Sequence, residues 1–369
     1  MAPAGPGCPY RMGVVVLLLI FAAVLAALCI WIVLPPPNGP AFVATDVAIE
    51  FSPYLLVLNA ALLFAAFRSR PHLKPASVIL IGLNIVLCAL PLGAMFWSGI
   101  RPALPATGAA GEAVIESSIP FTLGDDRTAI RAYLPAAGTK NPIVFAIYGG
   151  SWQRGTPAND TGINRALAAS GYAVFALDYR HAPAFRFPDA LNDVRSEVSA
   201  ILNNASAYRA DRTRVAVLGH SSGGELAELL AFEPHSPFRA LISYSGAIDL
   251  LKGYEILPKP DPLDVRSIIV AYMGVTPAED PARYRLASPI YQVRRNLPPT
   301  LLIYADRDHV VDFGYAETFR DALRADGDDV TFVDIPWTEH GYEEVPLGLH
   351  APIALRAVEG FLGRTLGNE

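Results

Sequence analysis

Long apolar runs dominate the first quarter of the chain, whereas short apolar runs alternate with polar segments in the remainder. Three early runs reach about 17 residues or more, the length that a helix needs to cross a bilayer. They cover residues 13–34, 51–67 and 76–97. The pattern therefore predicts an N-terminal membrane region, residues 1–97, with three transmembrane helices.

Two of these runs have an alternative interpretation. The first could be a cleaved signal peptide, but it exceeds the apolar core of about 7–15 residues that such peptides have, and no small-residue cleavage site follows it. The second could be an interfacial or buried helix, because it only just reaches the length of a span. We favour three retained spans.

Charged residues in the short links orient these helices. The link between the first and second runs carries Asp46 and Glu50, and the next link carries three basic residues, Arg68, Arg70 and Lys74. Because basic links stay in the cytoplasm, the third helix should run outward. We expect a linker at residues 98–111, rich in Pro, Gly and Ala, and an extracytoplasmic domain after it.

From residue 112 to residue 369, β-branched runs alternate with helical patterns, which is typical of a mostly parallel sheet covered by helices. Two runs flanking Gly124, at 113–123 and 128–134, predict an antiparallel hairpin. Six further strands are predicted at residues 143–148, 172–178, 214–218, 240–245, 300–304 and 330–335. The Pro-containing interruption at 248–281 is long for a loop, and we interpret it as a cap over a site.

Composition excludes several function classes. The net charge of −6 offers no basic surface for a phosphate backbone, so we expect no nucleic-acid partner. The three cysteines, Cys8, Cys29 and Cys88, lie in or beside the apolar front, which leaves the globular part without a thiolate nucleophile or a zinc-thiolate site. We expect neither a metal nor another cofactor, and the sequence points to no particular oligomeric state.

The strongest chemical signal is Gly219-His220-Ser221-Ser222-Gly223-Gly224, which follows a predicted strand and precedes a helical run. A G-x-S-x-G motif in this context predicts a nucleophile elbow, because small residues beside the serine allow a turn sharp enough to expose its hydroxyl. A serine needs a base to become nucleophilic, and in this arrangement the acid and then the histidine follow it in the chain. Ser221 is therefore the candidate nucleophile.

His340 is the candidate base, because it follows the last predicted strand. Two carboxylates, Asp306 and Asp308, follow the strand at 300–304, and either could orient the imidazole. Backbone N–H groups must also stabilise the oxyanion of the tetrahedral intermediate. Consecutive glycines after an early strand, together with the residue after the nucleophile, predict the donors: Gly150, Ser151 and Ser222.

Several motifs together resemble the hormone-sensitive-lipase-like esterases and the related carboxylesterases, kynurenine formamidases and isoprenylcysteine methylesterases of the α/β-hydrolase superfamily. Residues 148–152 are similar to the family's H-G-G-G-W, 178–183 to D-Y-R-x-A-P, 219–224 to G-x-S-A-G-G, and 305–311 to G-x-x-D-x-x-V. The resemblance covers about residues 113–362. It implies an α/β-hydrolase fold, and it assigns the acid to Asp308 rather than Asp306.

This chain departs from the family pattern at four positions: Tyr148, Ser151, Ser222 and Ala305 stand where the family has His, Gly, Ala and Gly. Oxyanion donors are backbone groups, so the resemblance still implies a serine hydrolase acting on a small or lipid-like carboxylic ester. The alternatives are an amidase or formamidase, a transacylase, and a non-catalytic membrane binding module.

Overall fold

The predicted strands form one eight-stranded sheet in the computed structural model, which describes residues 9–68, 75–100, 113–345 and 347–367. Each predicted strand is confirmed, with ends that shift by a few residues. The strands are β1 Val114–Leu123, β2 Asp126–Pro135, β3 Asn141–Ile147, β4 Ala173–Leu177, β5 Ala210–His220, β6 Ala240–Tyr244, β7 Thr300–Ala305 and β8 Val330–Ile335.

The strand order is β1-β2-β4-β3-β5-β6-β7-β8. The β1–β2 hairpin is antiparallel and β2 pairs antiparallel with β4, whereas every later pair is parallel. The central strands consist almost entirely of buried apolar residues, because helices cover both faces of the sheet. Loops that carry functional groups therefore gather at the carboxyl ends of the parallel strands.

Twelve α-helices occur in the described residues. They are α1 Pro9–Cys29, α2 Gly39–Glu50, α3 Ser52–Arg68, α4 Pro75–Trp97, α5 Thr161–Ala169, α6 Asp189–Asn203, α7 Ser222–Ala231, α8 Leu250–Glu255, α9 Val265–Met273, α10 Pro281–Leu286, α11 Phe313–Ala325 and α12 Ala351–Leu366. We call residues 9–100 the helical region and the chain from residue 113 onward the sheet domain.

The helical region differs from its prediction between the first two apolar runs. There the sequence indicated only a link, but α2 occupies it, and both of its acidic residues, Asp46 and Glu50, are buried. The first α-helix lies a few residues earlier than predicted, because α1 begins at Pro9 and ends at Cys29, and a 3₁₀ turn follows at Ile30–Ile32. α3 then leaves α2 at an angle of 71°.

Three transmembrane helices are not confirmed. In the chain ranges that the structure describes, one helix, Ser77–Trp97, is long and apolar enough to cross a membrane, and the bent pair α2 and α3 could form a second span. The apolar helix Leu19–Ile32 is shorter. Residues 69–74, with most of the basic link, and the predicted linker beyond residue 100 lie outside the described residues.

The helical region packs on the sheet domain through its last helix. Met95, near the end of α4, is fully buried in a cluster of apolar side chains that also contains Ile303 of β7 and Phe361 of α12. Leu92 and Ile100 pack against the same cluster. The two parts of the chain therefore share one apolar core on this face of the sheet.

The interruption at 248–281 is not a simple loop. It contains α8 and α9 and leads directly into α10. An aspartate caps the start of each of these helices by accepting a hydrogen bond from a backbone N–H group. The capping residues of α8, α9 and α10 are Asp249, Asp264 and Asp280. The insertion is thus a small helical layer beside the carboxyl ends of the strands.

Candidate active site

Ser221 lies at a sharp turn between β5 and α7. Its backbone has φ 51° and ψ −117°, a strained conformation for a residue with a side chain. Two glycines make the turn possible. A Cβ at Gly219 would lie 2.1 Å from the carbonyl oxygen of Gly223, and a Cβ at Gly223 would lie 2.2 Å from that of Ile147. The strand–turn–helix context expected of a nucleophile elbow is therefore present around Ser221.

A chain of hydrogen bonds connects Ser221 to the two other predicted residues. His340 Nε2 lies 2.8 Å from Ser221 Oγ, and His340 Nδ1 lies 2.7 Å from Asp308 Oδ2. The backbone N–H groups of Val310 and Val311 each donate to Asp308 Oδ1 at 2.7 Å. These two donors fix the carboxylate, which in turn orients the imidazole towards the serine.

Asp306, the other candidate acid, has a different partner. Its Oδ1 accepts a hydrogen bond from the backbone N–H of Trp337 at 2.6 Å. The neighbouring His309 lies 2.7 Å from Glu339 through Nδ1 and Oε1. Among the described residues after β7, Asp308 is therefore the carboxylate that contacts His340.

The electrostatic surroundings of His340 favour its protonated form. Burial alone would lower the pKa of His340, but the carboxylate of Asp308, with smaller contributions from Glu343 and Glu344, raises this pKa to about 9. A positive imidazolium beside Ser221 is thus well stabilised. This is the charge that His340 would carry after it accepts a proton from the serine.

Two of the predicted oxyanion donors, Ser151 and Ser222, lie beside the serine. Ser151 and Ser222 line the same cavity as Ser221, and a Cβ at Gly149 would lie 3.1 Å from that of Ser221. Gly150 and Ser151 both have positive φ, at 141° and 58°, which turns the backbone sharply after β3. The Ser222 N–H begins α7, where no intrahelical acceptor is available to it.

A second histidine connects the elbow to the chain segment after His340. His220, immediately before the nucleophile, lies 3.2 Å from Glu343 through Nδ1 and Oε1, and its ring stacks on Tyr244 at 4.5 Å. Burial alone would lower the pKa of His220, but Asp160 and Glu343 raise it to about 9. A buried ion pair therefore holds two of the site's segments together.

An apolar cavity opens beside Ser221, with an empty volume of about 630 Å³ including its mouth. The insertion provides half of its lining, mainly through Ile248, Leu250, Gly253, Pro258, Val265 and Ile268. Val310 and Val311, next to Asp308, lie on another wall. The cavity thus offers an apolar group of a substrate a place within reach of the serine hydroxyl.

Glu225 supports one wall of this cavity, and the sequence did not single it out. Its Oε2 accepts from the indole N–H of Trp152 at 3.1 Å, and the Tyr272 hydroxyl lies 3.4 Å from its Oε1. The Trp152 and Tyr272 rings stack at 4.2 Å. Burial raises the pKa of Glu225 well above its usual range. The sequence feature that could have identified Glu225 is its position one helical turn after Ser221, as an acidic residue in a largely apolar helix.

In the described residues no group of three or more His, Cys, Asp or Glu side chains could hold a metal ion. The groups placed for chemistry beside the cavity are the Ser221 hydroxyl, the His340 imidazole and the Asp308 carboxylate. They form an array suited to nucleophilic attack assisted by a base.

Comparison with known proteins identifies a family for the part of the chain that contains Ser221 and Asp308. A family model described as BD-FAE matches residues 130–323, which is more than half of the chain. The chain belongs to the BD-FAE family. The match begins in β2 and ends in α11, so it includes the Ser221 elbow and Asp308 but not the helical region.

Curated relatives of this BD-FAE protein carry esterase names. It is 29% identical over 214 residues to Esterase LipC of Mycobacterium tuberculosis, covering 55% of this chain and 53% of the relative. It is 27% identical over 217 residues to the isoprenylcysteine alpha-carbonyl methylesterase ICME of Arabidopsis thaliana, covering 54% and 51%. The chain therefore spans about half the length of these relatives.

Solved structures confirm the predicted α/β-hydrolase fold of the BD-FAE chain. An esterase from Pyrobaculum calidifontis matches with a TM-score of 0.60 and 23% identity, covering 74% of this chain and 90% of that one. A truncated carbohydrate esterase from gut microbiota matches with a TM-score of 0.59 and 20% identity, covering 72% and 100%. At such identities the likeness shows the fold alone.

Proposed function

We propose that this protein is a serine hydrolase that cleaves carboxylic esters through an acyl-enzyme. The observation that carries the proposal is the hydrogen-bonded series from Asp308 through His340 to Ser221, which ends at an apolar cavity. The esterase names of its curated relatives support the same reaction class.

In the proposed reaction, Ser221 Oγ attacks the ester carbonyl carbon while His340 Nε2 takes the hydroxyl proton. The tetrahedral oxyanion accepts hydrogen bonds from the backbone N–H groups of Gly150, Ser151 and Ser222. His340 then gives its proton to the departing alcohol as the C–O bond breaks. Water, activated by the same imidazole, hydrolyses the acyl-enzyme and restores the serine.

The raised pKa of His340 predicts an alkaline pH–rate profile. Proton abstraction needs the neutral imidazole, so kcat/KM should increase with pH and level off above about pH 9. Initial rates on a short-chain p-nitrophenyl ester, corrected for spontaneous hydrolysis, measure this. A profile already level at about pH 6 would contradict the assignment of a base held by Asp308.

The cavity is proposed to hold the acyl chain, with the insertion as a cap that sets its length. Ile268→Phe narrows the cavity, so kcat/KM for long p-nitrophenyl esters should fall roughly 10- to 100-fold relative to the acetate. Leu286→Phe is the matched control, because Leu286 lies on α10 of the same layer but is exposed. It should leave the chain-length profile unchanged.

Adding amides and formamides to this series of p-nitrophenyl esters tests whether the enzyme prefers esters or amides. Preference for esters with release of free acid supports the proposal. Preference for the formamides would indicate an amidase, and transfer of the acyl group to an added alcohol in place of water would indicate a transacylase.

We further propose that α1, α3 and α4 anchor the protein in a membrane, with the sheet domain on the extracytoplasmic side. Two polar side chains, Asn59 and Asn84, are fully buried inside the bundle and bond to each other at 3.2 Å. Large apolar residues lie outside, among them Phe21, Val57, Phe64, Ile79 and Val86. Polar groups inside and apolar groups outside are typical of membrane bundles.

Extraction and proteolysis test this anchor. The protein should stay in the membrane fraction after carbonate treatment, and protease added to intact cells should digest the sheet domain. Release by carbonate would contradict the anchor. Digestion only in inverted vesicles would show that the sheet domain faces the cytoplasm.

A further inference from the structure

Glu50, the last residue of α2, is a fully buried carboxylate that reaches the sheet domain. Its Oε1 accepts from the Thr338 hydroxyl at 2.8 Å and lies 2.6 Å from His350 Nδ1. Its Oε2 accepts from the His350 backbone N–H at 2.9 Å. The approach is close, because a Cβ at Gly348 would lie 2.6 Å from Glu50 Oε2.

These three partners belong to one segment, the histidine loop, which we define as residues 336–350 between β8 and α12. Thr338 lies two residues before His340, and His350 lies ten residues after it. A buried carboxylate is stable only where hydrogen bonds replace its hydration, and here the loop supplies them on both sides of the imidazole. Glu50 therefore fixes the loop at two points that flank His340.

The helical region also contacts the segment that carries Asp308. The Arg307 guanidinium donates to the carbonyl oxygen of Ile32 at 2.6 Å, and the Trp337 indole N–H donates to the same oxygen at 3.2 Å. The guanidinium lies over the Trp337 ring at 5.0 Å. Arg307 immediately precedes Asp308, so the residues beside both His340 and its carboxylate are attached to the helical region.

We propose that Glu50 is a positioning residue for His340, and that the helical region is thereby part of the catalytic unit. The proposal rests on the proposed function of Ser221 and His340. Proton transfer requires the two atoms to lie within about 2.6–3.2 Å, so a small displacement of the histidine loop lowers turnover. Substrate binding changes little, because the cavity is lined by other segments.

Two substitutions weaken this contact from opposite sides in the full-length protein. Both Glu50 oxygens accept hydrogen bonds, and Glu50→Gln replaces one of them with an NH2 group that cannot accept, whereas Thr338→Val removes the hydroxyl donor. Glu50→Gln and Thr338→Val should each lower kcat on p-nitrophenyl acetate roughly 10- to 100-fold, with KM nearly unchanged. Thr338→Ser restores the hydroxyl and should restore kcat. Thr45→Val is the matched control, because Thr45 is buried on the same helix and its hydroxyl has no partner in the described residues. It should behave as the unmodified protein.

The kinetic results separate this inference from the proposed function. If the unmodified protein hydrolyses esters but Glu50→Gln and Thr338→Val match Thr45→Val in kcat, Glu50 does not position His340. If kcat falls only in proportion to the folded fraction measured by circular dichroism, the contact is structural and the inference is wrong. An unmodified protein with no more turnover than Ser221→Ala would instead overturn the proposed function.

A measurement that needs no substrate tests the positioning role even if the unmodified protein hydrolyses no ester. The His340 Nδ1–H proton, bonded to Asp308, should give a downfield proton NMR signal, assigned by its loss in His340→Gln. This signal should shift or broaden in Glu50→Gln and Thr338→Val but not in Thr45→Val. An unchanged signal in all three variants would contradict the positioning role whether or not an ester is turned over.

Discussion

Ser221→Ala should lower kcat for ester hydrolysis roughly ten-thousand- to a million-fold, because it removes the hydroxyl proposed to form the acyl-enzyme. The residual rate would come from the oxyanion donors and the cavity, which bind the ester without attacking it. Release of p-nitrophenol measures turnover, and a fluorophosphonate probe measures the reactive serine directly. Labelling should disappear together with turnover.

Ser245→Ala provides the matched control. Ser245 is a buried serine that follows β6, next to the elbow, and its hydroxyl has no hydrogen-bond partner in the described part of the chain. This variant should keep both turnover and labelling. Retention of labelling in Ser221→Ala would show that the nucleophile lies elsewhere.

Asp308→Asn should lower kcat by roughly ten-thousand-fold, because an amide in place of the carboxylate holds the wrong imidazole tautomer and cannot stabilise the imidazolium. Asp306→Asn is the paired substitution. An amide oxygen can still accept the hydrogen bond from the Trp337 N–H, so turnover should remain close to that of the unmodified protein.

Circular dichroism should show both aspartate variants folded. If Asp306→Asn were the inactive variant and Asp308→Asn kept its turnover, the acid would be misassigned. Equal losses in both would indicate that the turn after β7, rather than one carboxylate, is what the site requires.

The sheet was predictable because its signals are local. Each central strand is a short apolar run, and β5 is followed at once by the small residues that allow the Ser221 turn. Asp308 could not be separated from Asp306 by such signals, since both follow β7 within three residues. The family spacing favoured Asp308, and its bond to His340 depends on contacts 32 residues apart in the chain.

α2 was missed because its two acidic residues, Asp46 and Glu50, indicated a link between two membrane spans. Asn38 and Pro40 were the available start signals, and the Asn38 side chain does accept from the Ala41 N–H at 3.0 Å. The role of Glu50 had no local signal at all. Its partner His350 lies 300 residues away, so only the tertiary structure brings the two together.

The burial of Met95 in the core of the sheet domain limits how that domain could be produced on its own. A shortened protein that began after the linker would uncover the apolar surface on which α4 packs, and exposed patches of this kind promote aggregation. It would also leave the Thr338 hydroxyl and the His350 N–H groups without their acceptor. Redesign of that surface for solubility would have to supply a new acceptor at the position of Glu50.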